Sequence, residues 1–591
     1  MAAEPAATLE PVVVTATRTP VKAVDLVTDV IIIERDVLDQ AGGATLTELL
    51  RQHAGVQMAS NGGWGKSSSV FIRGTDARHV LLLIDGVRYG SATTGQPNWD
   101  NLPLEAIERI EVLRGPAAAV YGSDAVGGVV HIITRAAAQG PAQPRARLTL
   151  GSYGRREVAA GLDGGSADLR YALHVSAGRE DGFSATNARA PFGNFNPDRD
   201  GFEQQALQAQ LQARLSPSLS LGINALVASG DNQFDSSLNG SAQFDVRGLT
   251  TTRVWGVHLT QTWDQGGRTR VQLGRADDLT RYRYRTANTV FDTQRQQWTL
   301  QHDQPLAWGS VTLGVDHVRE EVDSTTAYDV RRRTIDGVFA GWQGRVGAHR
   351  WQAHVRRDDN SQFGTATTGT LGYGLDVAPG WTVLASAATT FKAPTFNQLY
   401  FPQWGNPTTQ PEKGRSREVA LQWSQGPQQW RLAYFEQRIR GYITTSPAVI
   451  NLPKVAIDGW SLAGQTTLAG WRLGTTLELL DATNRTPGAN WGKKLPRRAE
   501  EQLTLSLQRS LAGWWLGGQV LLVGARFDDA ANNQRLAGFG TVGLSAEHAV
   551  TPEWTLRLRL DNLGDRRYET AYGYNQPGRA VYVTLNWQPK R

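Results

Sequence analysis

The chain has 591 residues, 40% of them hydrophobic, and a formal net charge of +6. This small charge is dispersed and shows no nucleic-acid signature, and the absence of cysteine excludes disulfides, thiolate metal sites and a cysteine nucleophile. No run of about 18 apolar residues exists, which excludes a transmembrane helix, but a membrane β-barrel remains compatible because only alternate strand residues face lipid.

The first 20 residues are small, polar and predicted to be extended, and they include the β-branched segment Leu9–Arg18, LEPVVVTATR. Such a segment can pair its backbone with the edge of a partner's sheet, or it can be an ordinary edge strand of the domain that follows. The opening residues MAAEPAATLE have neither a basic n-region nor an apolar h-region. We therefore expect that the signal peptide is absent from this chain and that the sequence is a mature form.

Residues 21–135 predict a mixed α/β domain. Leucines at helical spacing favour a helix within Asp36–Gln52. The dipeptide Asp85-Gly86 between two apolar runs predicts a β-hairpin turn. The runs Arg109–Leu113 and Val129–Ile133 predict strands on either side of a segment rich in small and turn-forming residues.

One segment of this domain imitates a phosphate-binding loop. Gly65-Lys66-Ser67 resembles the end of such a loop, but the first glycine of the motif would fall at Ser60. The following Val70–Ile72 reads as a strand, whereas the motif requires a helix. The sequence therefore predicts an exposed glycine- and serine-rich loop here, without nucleotide binding.

The segment Ala136–Arg145, rich in alanine and proline, predicts a linker, and residues 146–591 then alternate with a period of two. In Leu169–Ser176, four apolar residues alternate with Arg170, Ala172, His174 and Ser176. The segment Ala206–Leu215, ALQAQLQARL, repeats the pattern, and Val581–Trp587 is the last predicted strand. This alternation is typical of strands with one apolar and one polar face.

Short turns alternate with long loops in this region. Ser216–Ser218 is a short turn, whereas Gly178–Gly201 and Gly230–Arg253 are predicted as long loops, an asymmetry typical of outer-membrane barrels. At roughly 9–11 residues per spanning strand plus connections, about 20–24 strands fit, and the 19 Trp and 15 Tyr suit interfacial girdles. A soluble β-solenoid or propeller is the alternative, but no fixed repeat of that kind occurs.

Four motifs then appear in order: FIRG (71–74), LLLIDGVR (81–88), IERIEVLRGP (107–116) and YGSDAVGGVVHIIT (121–134). They resemble the plug of TonB-dependent outer-membrane transporters. The resemblance implies an all-β membrane protein of the bacterial outer membrane, with a ~22-stranded antiparallel transmembrane barrel around an N-terminal mixed α/β plug. The implied organisation is an N-terminal extended segment (1–20), a plug (21–135), a linker (136–145) and a barrel (146–591).

The same resemblance assigns a TonB box to the N-terminal segment. Its residues are Glu10, Pro11, Val12, Val13, Val14, Thr15 and Ala16. The implied partners are TonB with its energising inner-membrane complex, a large chelate ligand and outer-membrane lipids. The implied activity is energised import rather than catalysis, with no catalytic cofactor.

Residues 61–90 and 561–585 resemble the cobalamin (vitamin B12) transporters within this family more closely. This resemblance implies cobalamin as the substrate. An iron–siderophore or haem receptor with the same architecture is the alternative. A passive porin or adhesin is a further alternative, against which the plug and the TonB box argue. No nucleophile elbow, zinc-type histidine motif or paired-carboxylate cleft supports an enzyme.

Two sets of site residues follow from that resemblance. Plug loops within 57–68 and 89–100 are expected to contact the substrate, with candidates Gln57, Ser60, Trp64, Tyr89 and Trp99. Acidic external loops are expected to bind calcium through Asp181, Asp198, Asp200, Asp231 and Asp235, because dense carboxylates suit a hard cation with oxygen ligands. The alternative for these aspartates is a solvated loop with turn-forming Asp.

Overall fold

The structure is a computed structural model that describes residues 12–240, 246–426 and 428–589. Within these ranges, none of the helices has both the length and the apolar character needed to cross a membrane. The chain forms two nested parts, an N-terminal plug and a barrel that surrounds it.

The plug contains nine short strands and three helices among its described residues. They are β1 (Val12–Val13), β2 (Val21–Lys22), β3 (Asp29–Ile33), α1 (Arg35–Gln40), α2 (Leu46–His53), β4 (Gln57–Ser60), β5 (Ser68–Phe71), β6 (Val80–Ile84), β7 (Val87–Tyr89), β8 (Ile107–Arg114), α3 (Ala118–Tyr121) and β9 (Gly128–Thr134). Five strands form one sheet in the order β3-β8-β9-β6-β7, in which only the β6–β9 pair is parallel. Buried aliphatic side chains cover both faces of this sheet.

The predicted helical stretch within Asp36–Gln52 is two helices rather than one. They separate at Gly42 and Gly43, and Gly43 has a φ of +78°. A Cβ at Gly43 would lie 2.4 Å from the Tyr582 ring of the barrel, so the chain turns where only glycine fits against the wall. The second helix then starts at a capping box between Thr45 and Glu48.

The hairpin predicted at Asp85-Gly86 is confirmed. Both residues have positive φ, +48° and +83°, and they connect β6 directly to β7. Such a two-residue turn matches the twist of the paired strands. It places the hairpin tip against the inner face of the barrel, where Gln272 lies beside Gly86.

Twenty-two strands form a closed antiparallel barrel within the described part of the chain, which confirms the predicted fold class. They are β10 (Gly140–Gly151), β11 (Arg156–Gly165), β12 (Leu169–Glu180), β13 (Phe202–Arg214), β14 (Leu219–Phe234), β15 (Val246–Thr262), β16 (Arg268–Arg283), β17 (Asn288–Leu306), β18 (Gly309–Ser324), β19 (Arg332–Val346), β20 (His349–Asn360), β21 (Gly364–Ala378), β22 (Trp381–Lys392), β23 (Glu412–Gln425), β24 (Gln428–Arg440), β27 (Val455–Leu468), β28 (Trp471–Asn484), β29 (Glu501–Leu511), β30 (Trp514–Val523), β33 (Phe539–Ala549), β34 (Trp554–Asp561) and β35 (Ala580–Trp587). The outer loops add β25 (Tyr442–Thr444), β26 (Ile450–Leu452), β31 (Arg526–Phe527), β32 (Arg535–Leu536) and α4 (Phe396–Tyr400). The barrel closes where β10 pairs with β35.

The two-residue alternation predicts correctly which side chains face outward. Leu173 and Val175 are each 47% exposed on the outer surface, whereas Ala172 and His174, which alternate with them, are buried against the lumen. Leu273 on β16 is likewise an exposed apolar side chain of the outer surface. Together such residues form the apolar belt that a lipid bilayer requires.

Strand ends differ from the predicted boundaries in two places. The predicted linker 136–145 ends early, because β10 begins at Gly140; Pro141 is accommodated at a register shift in the pairing with β11. The predicted loop 230–253 is mostly strand, since residues 230–234 pair with residues 246–250. These strands continue beyond the apolar belt, where both faces carry polar residues, and their composition therefore resembles that of a loop.

Candidate functional site

The described part of the predicted TonB box lies folded against the plug. Glu10 and Pro11 fall outside the described residues, while β1 pairs with β2, and Val13 and Thr15 are fully buried. One carboxylate oxygen of Glu111 accepts hydrogen bonds from Val14 N at 3.0 Å, Thr15 N at 2.9 Å and Thr15 Oγ1 at 2.6 Å. The backbone that a partner strand would pair with is thus already occupied.

Glu111 is held ionised by its surroundings. Burial favours the neutral acid, but His131 and the hydrogen bonds from Thr15 outweigh it, so the pKa of Glu111 lies below its ordinary value. Arg109 completes the environment with an ion pair at 2.8 Å to the second carboxylate oxygen. A charged acceptor makes stronger hydrogen bonds than a neutral one, which favours the folded position of the N-terminal segment.

Arg18 ties the end of this segment to the barrel wall. Its guanidinium donates two hydrogen bonds to the carboxylate of Asp316 on β18, at 3.1 and 2.9 Å. The same carboxylate accepts from Arg356 on β20 at 2.5 Å. Arg18 also lies over the Phe339 ring, 4.3 Å from its centroid. Movement of the N-terminal segment therefore breaks contacts with the wall as well as with the plug.

Buried ion pairs hold the plug to another part of the wall. Arg73 pairs with Asp29 at 3.1 Å within the plug and with Glu418 on β23, which also accepts from Arg431 on β24 at 2.6 Å. Burial alone raises the pKa of Asp29, but Arg114 and the other arginines nearby reverse the effect and bring this pKa to about 2. Such a fully paired cluster keeps its charges at neutral pH.

The five predicted substrate residues are all buried between the plug and its surroundings. Gln57 exchanges two hydrogen bonds with the Ala499 backbone at 2.9 and 2.8 Å, and Ser60 N donates to Thr570 Oγ1 at 2.9 Å. The exposed fractions of the five side chains are small: Gln57 1%, Ser60 2%, Trp64 8%, Tyr89 1% and Trp99 1%. Their role in substrate contact stays a prediction, and it requires movement of the plug apex or of the loops above it.

The prediction that the Gly65-Lys66-Ser67 loop is exposed is wrong for its lysine. Lys66 is 3% exposed, and its ammonium donates to Asn232 Oδ1 at 2.6 Å and to Gly201 O at 3.2 Å. Burial lowers its pKa to about 8. The reason is tertiary: the outer loop 181–201 and strand β14 fold over a plug segment whose composition alone suggests a surface loop.

Exposed apolar side chains lie instead on the outer loops. Phe192 and Phe195 in loop 181–201 are 88% and 43% exposed. Leu238, Trp404 and Trp491 on other outer loops are similarly exposed, and sequence reasoning did not single them out as site residues. The signal that could have identified them is a bulky apolar residue inside a polar loop, which has no core to fill.

Three of the five predicted calcium ligands meet in space. Carboxylate oxygens of Asp198, Asp200 and Asp235 lie within 4.8 Å of one another across two outer loops. Asp181 pairs instead with Arg179 at 3.3 Å, and Asp231 with Arg247 at 3.2 Å.

The electrostatics of these three carboxylates suit a cation. Burial and the nearby Asp235 raise the pKa of Asp200 to about 7, even though its carboxylate accepts a hydrogen bond from Ala185 N at 2.8 Å. Hard oxygen donors that repel one another in this way match the requirements of a divalent ion such as Ca²⁺.

Comparisons with known proteins agree with this geometry. Residues 143–563 match the family described as "TonB dependent receptor-like, beta-barrel", and residues 22–129 match "TonB-dependent Receptor Plug Domain". A vitamin B12 transporter BtuB of Vibrio cholerae is 31% identical over 599 residues, and one of Photobacterium profundum is 28% identical over 592 residues. Each alignment covers 98% of this chain and 95% of the relative.

Solved structures share the fold at lower identity. The ferric enterobactin receptor PfeA of Pseudomonas aeruginosa has a TM-score of 0.81 at 18% identity, and the siderophore receptor PirA of Acinetobacter baumannii has 0.83 at 16%. Both comparisons cover 95% of this chain and 98% of the other. The chain belongs to the TonB-dependent receptor family, as a plugged β-barrel of the bacterial outer membrane.

Proposed function

We propose that this protein imports cobalamin across the outer membrane by TonB-dependent transport. The observation that carries the proposal is the near full-length similarity to proteins named vitamin B12 transporters, at 28% and 31% identity. The fold by itself does not discriminate among substrates, because siderophore receptors share it, with TM-scores of 0.81 and 0.83.

Transport begins at the outer loops. Phe192 and Phe195 offer exposed aromatic area, which binds a large ligand at a low cost in side-chain entropy. Ligand bound there then contacts the plug apex and displaces it. At the apex, Trp64 lies between Phe202 and Arg155. Displacement of the apex brings Gln57, Ser60, Trp64, Tyr89 and Trp99 into the substrate site.

The second step is release of Glu10–Ala16 as a TonB box, followed by strand pairing with TonB. Release breaks the hydrogen bonds that Glu111 accepts from Val14 and Thr15. Each bond to a charged group is worth about 1.5–3 kcal/mol. One elementary charge moving through 100 mV supplies about 2.3 kcal/mol, so a few protons suffice for local release and for remodelling of the plug.

Calcium is the proposed organiser of the outer loops. Asp198, Asp200 and Asp235 would hold the ion, joining loop 181–201 to the loop after β14. Calcium prefers six to eight oxygen ligands, so backbone carbonyls and waters would complete its coordination. A calcium ion in this position stabilises the loop that carries Phe192 and Phe195.

A binding titration tests the substrate and the ion together. Purified protein is titrated with cyanocobalamin, with and without Ca²⁺, and in parallel with ferric enterobactin. We expect saturable cobalamin binding that tightens with calcium and is absent for the siderophore. The double variant Asp198→Asn/Asp235→Asn should lose the calcium effect, whereas Asp329→Asn, on a separate outer loop, should keep it. Preferential binding of the siderophore would contradict the substrate assignment.

Deletion of residues 9–16 tests the coupling. Cells expressing the deletion should bind cobalamin at the surface yet accumulate none, because TonB has no strand to pair with. A chain with Ala2–Thr8 deleted serves as the control and should transport normally. Uptake that survives the 9–16 deletion would favour a passive pore.

A further inference from the structure

A cavity of about 300 Å³ lies between the plug and the inner face of strands β13 to β18. Half of the barrel side chains that line the cavity are carboxamides, with Arg270 and Asp316 as the charged residues beside them. We call the carboxamides the carboxamide wall: Gln210, Asn224, Gln272, Gln297 and Gln301. The plug contacts this wall through the β6–β7 turn. Gln272 donates to Asp85 O at 3.1 Å and Gln297 donates to Gly86 O at 3.2 Å. These bonds are neutral and exchange readily with those of water or of a polar solute.

The plug is held differently on strands β23 and β24 and on the loop before β29. We call Glu418, Arg431 and Arg498 the charged wall. Arg431 donates to Val27 O at 2.9 Å, and Arg498 donates to Thr75 O at 3.0 Å. Glu418 pairs with Arg73 in the buried cluster described above. Separation here would leave buried charges without partners, which is far more costly than loss of a neutral hydrogen bond.

The N-terminal segment lies along the weaker of these two interfaces. Val14 and Arg18 line the same cavity, and Gln301 of the carboxamide wall donates a hydrogen bond to Arg18 O at 3.4 Å. A pull on the N-terminus therefore first removes two residues that line the cavity and separates Arg18 from Asp316. The cavity then extends toward the side from which TonB pulls. Further along the pulled chain, Arg431 of the charged wall holds Val27 O, and the Arg73–Glu418 cluster holds Asp29, so these contacts resist further extraction.

We propose that the substrate crosses between the plug and the carboxamide wall, while the plug remains seated on the charged wall. This inference rests on the proposed import function. The chemistry of the wall matches that of the solute: cobalamin carries several amide groups, and carboxamides can donate and accept hydrogen bonds with them one at a time. The five carboxamides themselves form no ion pair with the plug, so the ion pair that opens on this side is the one between Arg18 and Asp316, which the pull on the N-terminus already separates.

Two cysteine pairs test the route in a chain that has no cysteine of its own. Val87→Cys with Gly274→Cys fastens the plug beside the carboxamide wall, since a Cβ at Gly274 lies 2.8 Å from Val87 Cγ2. Val27→Cys with Gly372→Cys is the matched control near the charged wall, where a Cβ at Gly372 lies 3.2 Å from Val27 Cβ. Both pairs are close enough for a disulfide.

Uptake of labelled cyanocobalamin is measured with each pair oxidised and reduced, after surface binding has been verified. The Val87–Gly274 disulfide should lower uptake at least tenfold, reversibly with reductant, while the Val27–Gly372 disulfide changes uptake less than about twofold. Equal blockage by both would indicate that the whole plug leaves and would overturn the proposal. So would normal uptake with the first pair oxidised.

A second readout does not depend on the substrate. It compares Asn224→Cys on the carboxamide wall with Ala433→Cys on β24 near the charged wall. The native Asn224 is 3% exposed and the native Ala433 is 1% exposed. A small thiol reagent added to energised cells should label the first cysteine several-fold faster than the second. Deletion of residues 9–16 should abolish the difference. Equal labelling would overturn the route, whereas absence of cobalamin uptake in the unmodified protein would contradict only the substrate.

Discussion

At the scale of single residues, Glu111 controls the N-terminal segment. Replacement by Gln keeps the shape and one acceptor but removes the charge, so the three hydrogen bonds from Val14 and Thr15 weaken by about 2 kcal/mol in sum. We expect the released state to be populated roughly 30-fold more. Labelling of Thr17→Cys, whose native side chain is 2% exposed, measures this release in purified protein.

The control for Glu111→Gln is Glu108→Gln on the same strand. The Glu108 side chain is 41% exposed, and its ion pair with Arg135 is long, at 3.9 Å. Labelling of Thr17→Cys should not change in that background, because an exposed pair contributes little. If both substitutions raised labelling equally, the effect would come from the net charge of the strand and not from the hydrogen bonds to Glu111.

Asp100 makes the plug apex sensitive to pH. Burial raises its pKa to about 7, against the opposing effects of Ser68 and Lys66. The folded state therefore binds this proton more tightly than the unfolded chain, whose Asp pKa is about 3.9. The stability that Asp100 contributes is complete below pH 4 and is lost as the pH rises through 7.

Asp100→Asn should remove this pH dependence, since the amide cannot ionise and can still accept from Ser68 Oγ. Hydrogen exchange of the β5 amides, followed from pH 5 to 8 after correction for intrinsic rates, is the measurement. Protection should fall with pH in the native protein and stay level in the variant. A parallel loss of protection in both proteins would assign the effect to another group.

At the scale of elements, the break between α1 and α2 depends on contact with the barrel. Gly43→Ala would place a Cβ 2.4 Å from Tyr582 in addition to the strain of a positive φ, and we expect a loss of plug stability of about 2–4 kcal/mol. Gly347→Ala is the matched control, because Gly347 also has a positive φ (+59°) but a Cβ added there would have no atom of the described residues within 4 Å. It should lose only about 1–2 kcal/mol.

Denaturant unfolding compares the two variants, monitored by exchange of the plug amides for Gly43→Ala and of the β19 and β20 amides for Gly347→Ala, which lies in the turn between those strands. Equal losses would mean that backbone strain alone accounts for Gly43. A larger loss for Gly43→Ala would demonstrate that the helix break is set by the seating of the plug on the wall. The element boundary would then be a property of the assembled molecule and not of the helix sequence.

At the scale of the whole molecule, the barrel is closed without the plug. Each of its strands is hydrogen-bonded to two neighbours, including β10 with β35. Deletion of residues 12–135 should therefore leave a folded barrel whose polar inner face is covered by water. We expect its conductance in a planar bilayer to rise at least tenfold above that of the intact protein. A deletion variant that fails to insert would show that the plug is needed for barrel assembly.

The sequence alone determined the features that depend on near neighbours. Alternation predicted that Leu173 faces lipid and His174 the lumen, and Asp85-Gly86 predicted its turn, because side-chain direction and turn geometry repeat over two to four residues. The family motifs in addition predicted that these elements form a plug inside a barrel. The burial of Trp64 and Lys66 could not be predicted from local patterns, since the residues that bury them lie in a loop more than 100 positions away in the sequence.

Only the tertiary structure decided which distant groups meet. Arg18 binds Asp316, which lies 298 positions away in the sequence. The carboxylates of Asp200 and Asp235 lie close together, whereas Asp231 pairs with Arg247. Local patterns carry no information about such meetings, because they depend on where the barrel closes and how the plug is seated within it. The physical reason is that a strand's period sets the direction of each side chain, whereas its neighbours across the lumen are set by the closed sheet as a whole.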